Sequence, residues 1–157
     1  MSGDIPLAAN FSGPGALDDL VIYNAGVWYV DRDLNGKIDP TFQFGGVPGD
    51  VPLAGDVNGD GIADLVIYRG GIWFIDTNRD GNTEMMISFG GMPQDIPMLF
   101  DWDGDGKADL CIFRDRTWYV STKRDGMADV TFSYGTSATC PWWVSSTEAR
   151  TSSSSPR

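Results

Sequence analysis

The chain has 157 residues, with 22 acidic and 11 basic side chains, a net charge of -11 and no histidine. That charge excludes a nucleic-acid binder, because a phosphate backbone would be repelled. The missing histidine excludes Ser–His and Cys–His nucleophiles and His-ligated zinc or iron sites. The acids are 20 Asp against 2 Glu, and with 20 Gly and 9 Pro they favour turns and strands over helices.

The opening MSGDIPLAAN has neither the basic nor the apolar region of a secretory leader, so the chain is expected to use another route or to be a mature or excised piece. No apolar run approaches the roughly 18 to 20 residues of a membrane span. Asp4-Ile5-Pro6 is the first landmark of a repeat, returning as Asp50-Val51-Pro52 and Asp95-Ile96-Pro97. Apolar runs follow at 20–23 (LVIY), 65–68 (LVIY) and 110–113 (LCIF), then aromatic runs at 27–30, 72–75 and 117–120. The copies close on Phe44-Gly45, Phe89-Gly90 and Tyr134-Gly135, and most landmarks lie 45 residues apart. The spacing defines repeat 1 over 3–48, repeat 2 over 49–93 and repeat 3 over 94–138. An extra strand of a partial fourth repeat is expected over 139–144, where Cys140-Pro141-Trp142-Trp143 falls in place of Ile5-Pro6-Leu7. A Ser/Thr-rich flexible tail is expected over 145–157.

Each copy should hold four short strands, in the second near 51–55, 64–69, 72–76 and 84–89. The runs LVIY and VWYV do not alternate. Strands of that kind need apolar cover on both faces, which stacked propeller blades supply and a two-layer sandwich does not. The expected fold is therefore all-β, with β-propeller-type blades: three four-stranded repeats of about 45 residues plus one extra C-terminal strand.

Between the first and second strands lies a loop with oxygen donors at alternate positions. In copy two it is DVNGDGIAD, offering Asp56, Asn58, Asp60 and Asp64; in copy three it is DWDGDGKAD, offering Asp101, Asp103, Asp105 and Asp109. Donors at positions 1, 3 and 5 converge if the chain turns sharply at the glycine of position 6. The backbone carbonyl of Ile62 or Lys107 can add a ligand at position 7, and the position 9 carboxylate can close the shell. An empty Asp/Gly turn is the plain alternative, but clustered carboxylates repel unless a cation lies among them. Hard oxygen donors without His or Cys favour calcium over zinc, and magnesium prefers to keep its waters.

These DxNGDGxxDL loops, each followed by an apolar strand, resemble the FG-GAP (VCBS-like) repeats of integrin α-chain propellers and many microbial surface proteins. The resemblance covers about residues 3–135 and implies one calcium ion in each such loop. Two departures stand out. The first copy reads ANFSGPGALDD, with Asn10, Ser12 and Pro14 where acids belong. Propellers also close with about four to eight blades, whereas this chain has three.

A second loop class joins the third and fourth strands. It offers Asp31, Asp33, Asn35, Lys37 and Asp39 in DRDLNGKID, and Asp76, Asn78, Asp80, Asn82 and Glu84 in DTNRDGNTE. The third, STKRDGMAD, puts Ser121 and Lys123 in ligand positions, where an ammonium opposes a cation. Hairpin turns are the plain reading of all three.

Trp28, Trp73 and Trp118 recur in register and read as core between blades, while Cys111 and Cys140 occupy apolar positions. Arg114-Asp115-Arg116 reads as a solvated hairpin. The function expected is a calcium-stabilised structural or adhesion module of an extracellular or cell-surface protein, not an enzyme, since no polar constellation is confined to one copy. Its expected partner is itself, in a ring or filament, or the missing part of a longer propeller, with a glycan or surface protein as further candidates. A lectin-like propeller is the alternative, and a propeller hydrolase or lyase with paired carboxylates ranks below it. Three blades leave two apolar faces uncovered, which is the reason to expect self-association.

Overall fold

The computed structural model describes residues 3–135. The strand expected at 139–144 and the tail at 145–157, with Cys140, Trp142 and Trp143, lie outside the described residues.

Twelve strands, and no helix among the described residues, form three separate antiparallel sheets in simple up-and-down order. The first sheet holds β1 (Ile5–Ala9), β2 (Asp19–Asn24), β3 (Val27–Asp31) and β4 (Thr41–Gln43). The second holds β5 (Val51–Gly55), β6 (Asp64–Arg69), β7 (Ile72–Asp76) and β8 (Met85–Ser88); the third holds β9 (Ile96–Phe100), β10 (Asp109–Arg114), β11 (Thr117–Ser121) and β12 (Val130–Ser133). One sequence repeat makes one sheet. The central hairpins turn in two residues, Ala25-Gly26, Gly70-Gly71 and Asp115-Arg116, all with positive φ. Such turns match the right-handed twist of the strands they join. The third achieves this without glycine, at a cost of about 1–2 kcal/mol per residue.

The sheets stack face to face, with β1 beside β5 and β5 beside β9. One core joins Val21, Tyr23, Trp28 and Val30 of the first sheet to Leu65 and Ile67 of the second. The other joins Val66, Tyr68, Trp73 and Ile75 of the second to Leu110 and Ile112 of the third. The middle sheet is therefore covered on both faces, and β6 is buried from Asp64 to Tyr68. The same tetrapeptide in β2 alternates: Leu20 and Ile22 are 57% and 37% exposed, whereas Leu65 and Ile67 are fully buried. Position in the stack, not local sequence, decides the exposure.

Trp28 and Trp73 are buried and donate their Nε1–H to the carbonyls of Phe44 and Phe89, at 3.0 and 2.9 Å. Trp118 makes the same bond to Tyr134 at 3.1 Å but is only half-buried, because no fourth sheet covers it among the described residues. Cys111 is buried, and burial pushes its thiol up to about 12.

An aspartate at the start of the second and third sheets fastens each to the sheet before it. Asp50 accepts Gly46 N–H and Val47 N–H at 2.8 and 2.9 Å and pairs with Arg69 at 2.5 Å. Asp95 does the same with Gly91, Met92 and Arg114. Arg114 is thus held in an ion pair rather than solvated alone. Burial raises both carboxyls, but the guanidinium and amide donors outweigh it and hold them below the usual range.

Two substitutions in identical LVIY runs test the stacking. Ile67→Ala should cost about 2–5 kcal/mol, as for a buried isoleucine that leaves a cavity. Ile22→Ala should cost under about 1 kcal/mol in dilute solution, its side chain already meeting water. Urea titration measures both, and equal losses would refute the cover described here.

Candidate metal centre

The acidic loops grow out of the sheet geometry. Position 9 of the first class is the first residue of a second strand: Asp64 opens β6 and Asp109 opens β10. Both side chains are buried with the strand they start.

The two loop classes, different in sequence, share one internal wiring. The position 1 carboxylate accepts the N–H of the position 6 glycine: Asp56 from Gly61 at 2.7 Å, Asp101 from Gly106 at 3.0 Å, Asp31 from Gly36 at 2.7 Å and Asp76 from Gly81 at 2.8 Å. Position 3 accepts from position 5, with Asn58, Asp103, Asp33 and Asn78 bonded to the N–H of Asp60, Asp105, Asn35 and Asp80. Position 5 accepts from position 7, so Asp60, Asp105, Asn35 and Asp80 each hold the N–H of Ile62, Lys107, Lys37 and Asn82 at 2.8 Å. Position 9 accepts from position 2, joining Asp64 to Val57, Asp109 to Trp102, Asp39 to Arg32 and Glu84 to Thr77. Side-chain oxygens at positions 1, 3, 5 and 9 thereby each hold a backbone amide of their own loop.

Positions 4 and 6 take positive φ to allow this. Glycine fills both in the first class, as Gly59 and Gly61 or Gly104 and Gly106, while Leu34 and Arg79 hold position 4 in the second. The left-handed position 4 was not legible from the D-x-[DN]-x-[DN]-G pattern, which marks only the glycine at position 6.

Three loops bring three carboxylates together, and the loop of Asp56, Asp60 and Asp64 is not one of them. Oxygens of Asp31, Asp33 and Asp39 lie within 4.8 Å of one another, as do those of Asp76, Asp80 and Glu84, and those of Asp101, Asp103 and Asp109. Asp105 stands apart from the last group, and Arg124 reaches it at 3.4 Å. Arg124 also binds Asp109 at 3.0 Å and the carbonyl of Ala108 at 3.2 Å. Arg79 binds the Ala63 carbonyl at 3.1 Å but stops 3.8 Å from Asp64 Oδ1, too far for a hydrogen bond. These two arginines escaped the sequence reading. Their signal was present as a basic residue 45 positions apart where Leu34 stands in the first copy.

Two loops satisfy their position 9 carboxylates with donors of their own. In the first copy, Ser12 Oγ donates to the buried Asp19 at 2.9 Å and Phe11 N–H donates to it at 2.7 Å. In the third loop of the second class, Lys123 Nζ lies 2.6 Å from Asp129 and holds its carboxyl below the usual range.

Asp64 is the opposite case. Its Oδ1 is buried with no hydrogen-bond partner. Burial, and then the nearby charges of Asp60 and Asp56, push its carboxyl up to about 7 against the pull of the Val57 and Asn58 amides. Burial also raises Asp76 and Asp109. An ionised carboxylate here is short of positive charge, which a hard cation held by Asp56, Asn58, Asp60 and Asp64 would supply.

The sign of the pH dependence follows. A carboxyl raised above its unfolded value destabilises once ionised, so cation-free stability should fall as pH rises from about 4 to 7 and level off above. Asp64 alone accounts for up to roughly 4 kcal/mol of that fall. The lowered Asp50 and Asp95 act in the other sense, below about pH 4. In chelator at neutral pH, Asp64→Asn should therefore be more stable than wild type by urea titration; an unchanged or lower stability would contradict the uncompensated charge. No protein-family model, curated protein or solved structure matches the chain, and its likeness to FG-GAP repeats stands on the loop residues alone.

Proposed function

We propose that the chain is a calcium-stabilised repeat module with a structural or adhesive role in an extracellular or cell-surface protein, its three sheets acting as propeller-type blades. The observation that carries this reading is the orphaned, buried Asp64 Oδ1 in a loop wired by the same hydrogen bonds as the loops that gather three carboxylates. The Asp101–Asp109 loop is the second centre, and the Asp31–Asp39 and Asp76–Glu84 loops, wired alike, are further ones. Calcium suits these loops because it accepts many oxygen ligands in flexible geometry, and no His or Cys competes to select a softer ion. Bound there, it neutralises the carboxylates and fixes the connections that set the sheets in register. The role is structural rather than catalytic, since the acids follow the repeat instead of forming a constellation in one copy. Partners in this reading are other copies of the chain or the remainder of a longer propeller.

Thermal melts with calcium, magnesium and excess chelator test the reading. A loop holding calcium at a hundred times its dissociation constant contributes about 2.7 kcal/mol. The midpoint should rise with calcium and much less with magnesium, and Asp109→Asn should remove part of the rise. A midpoint indifferent to calcium and chelator would reject the proposal.

A further inference from the structure

We infer that the open face of the third sheet takes the open face of the first sheet of a second copy, repeating between chains the contact already made twice within one. This deepens the structural role proposed above and rests on its stacking of sheets, though not on its calcium.

The chain displays both halves of its own internal interface. One half is the face bearing the recurrent tryptophan. Trp28 of the first sheet with Phe11 of the loop after β1, and Trp73 of the second with Val57 of the loop after β5, are buried beneath the next sheet. The same face of the third carries Met98, Phe100, Trp102, Trp118, Phe132 and Tyr134 around an open pocket of about 400 Å³. The other half is the pair of aliphatics in each second strand. Leu65 and Ile67 cover the first sheet, and Leu110 and Ile112 cover the second. Their equivalents Leu20 and Ile22 are exposed, with Leu17 beside them.

The backbone continues the same pattern. Ala63 N–H donates to the Asn10 carbonyl at 2.7 Å, and Ala108 N–H donates to the Asp56 carbonyl at 2.6 Å, each bond tying one sheet to the one before. The next pair in the series is the Asp18 N–H and the Asp101 carbonyl, and neither has a partner among the described residues.

The third sheet differs from the other two in bulk. Phe100 stands where Gly55 and Ala9 stand, and Trp102 where Val57 and Phe11 stand. Gly55 lies so close to Ala108 that an added Cβ would come within 3.1 Å of the Ala108 Cβ. With Phe100 on one side and Asp18 on the other, a second copy seats further out than the internal sheets do. The added rings fill that space: Trp102 stacks on Phe132 at 5.0 Å and Trp118 stacks on Phe132 at 6.1 Å. The pocket is walled by aromatic rings and Met98, a surface that an aliphatic strand face matches.

Sedimentation of the full chain at rising concentration, with calcium and again with chelator, tests the contact. The mass should rise from 17.1 kDa by at least about twofold, either to a fixed dimer or through a ladder of larger species, both of which a head-to-tail contact produces. Leu20→Arg spoils only the first-sheet face, and Met98→Arg with Tyr134→Arg spoils only the third-sheet face. Each variant, checked for a retained melt, should remain monomeric alone. Mixed together they should form a one-to-one complex, because each keeps the face the other lost. A wild-type monomer at every concentration overturns the inference, as it would if residues beyond 135 covered the pocket of their own chain. Assembly by the Leu20→Arg variant alone overturns it too, since third-sheet faces would then be meeting each other. Assembly in chelator with no calcium shift in the melt would reject the calcium reading and leave this contact standing; a calcium shift without assembly would do the reverse.

Discussion

Every sheet in this protein is a thin slab with apolar side chains on both faces, and such a slab persists only between neighbours. At about 25 cal/mol per Å² of apolar surface removed from water, a face left open forgoes a stabilisation that four short strands cannot recover from their own hydrogen bonds. The middle sheet satisfies the constraint completely and is the most deeply buried part of the described structure. Among the described residues the outer sheets satisfy it by half, and the exposed Leu20 and Ile22 at one end and the Trp102–Phe132 cluster at the other are its direct result.

The electrostatics of the loops descend from the same packing. The first residue of every second strand is a buried aspartate: Asp19, Asp64 and Asp109. Burial raises the free energy of its charge, while the loop before it aims further oxygens at the same place. Demand for positive charge is therefore built in by the stacking, before any ligand is considered. Asp50 and Asp95, which sit at the start of first strands, meet their guanidinium partners locally and show the reverse shift.

Much of this was legible in the sequence because a repeat reports the same structural environment three times. The strands of the second copy fall within a residue of their expected limits, since glycine and aspartate bound each apolar run so sharply. Strand exposure was less legible. LVIY reads identically at 20–23 and 65–68, and only the number of neighbouring sheets separates their fates. The acidic loops were recognisable by spacing, but the common wiring of the two loop classes was not, because hydrogen bonds from backbone to carboxylate leave no compositional trace. Arg114 read as a solvated hairpin residue because its partner Asp95 lies nineteen positions away, in the connection before another strand.

The copies meet one electrostatic problem in four ways, and three of them satisfy the carboxylate. The first loop answers its buried Asp19 with a serine hydroxyl, which is neutral and needs no ion. The 121–129 loop answers Asp129 with the ammonium of Lys123, a fixed charge from its own segment. The Asp109 loop borrows the Arg124 guanidinium, which binds Asp109 and Asp105 without displacing the group formed by Asp101, Asp103 and Asp109. Only in the Asp64 loop does the borrowed arginine fall short, leaving one carboxylate oxygen unmet. That loop belongs to the sheet that is covered on both faces, where desolvation is greatest and a missing charge costs most. Cation demand and burial therefore peak in the same sheet, so an ion bound there acts on the element that holds the two outer sheets together.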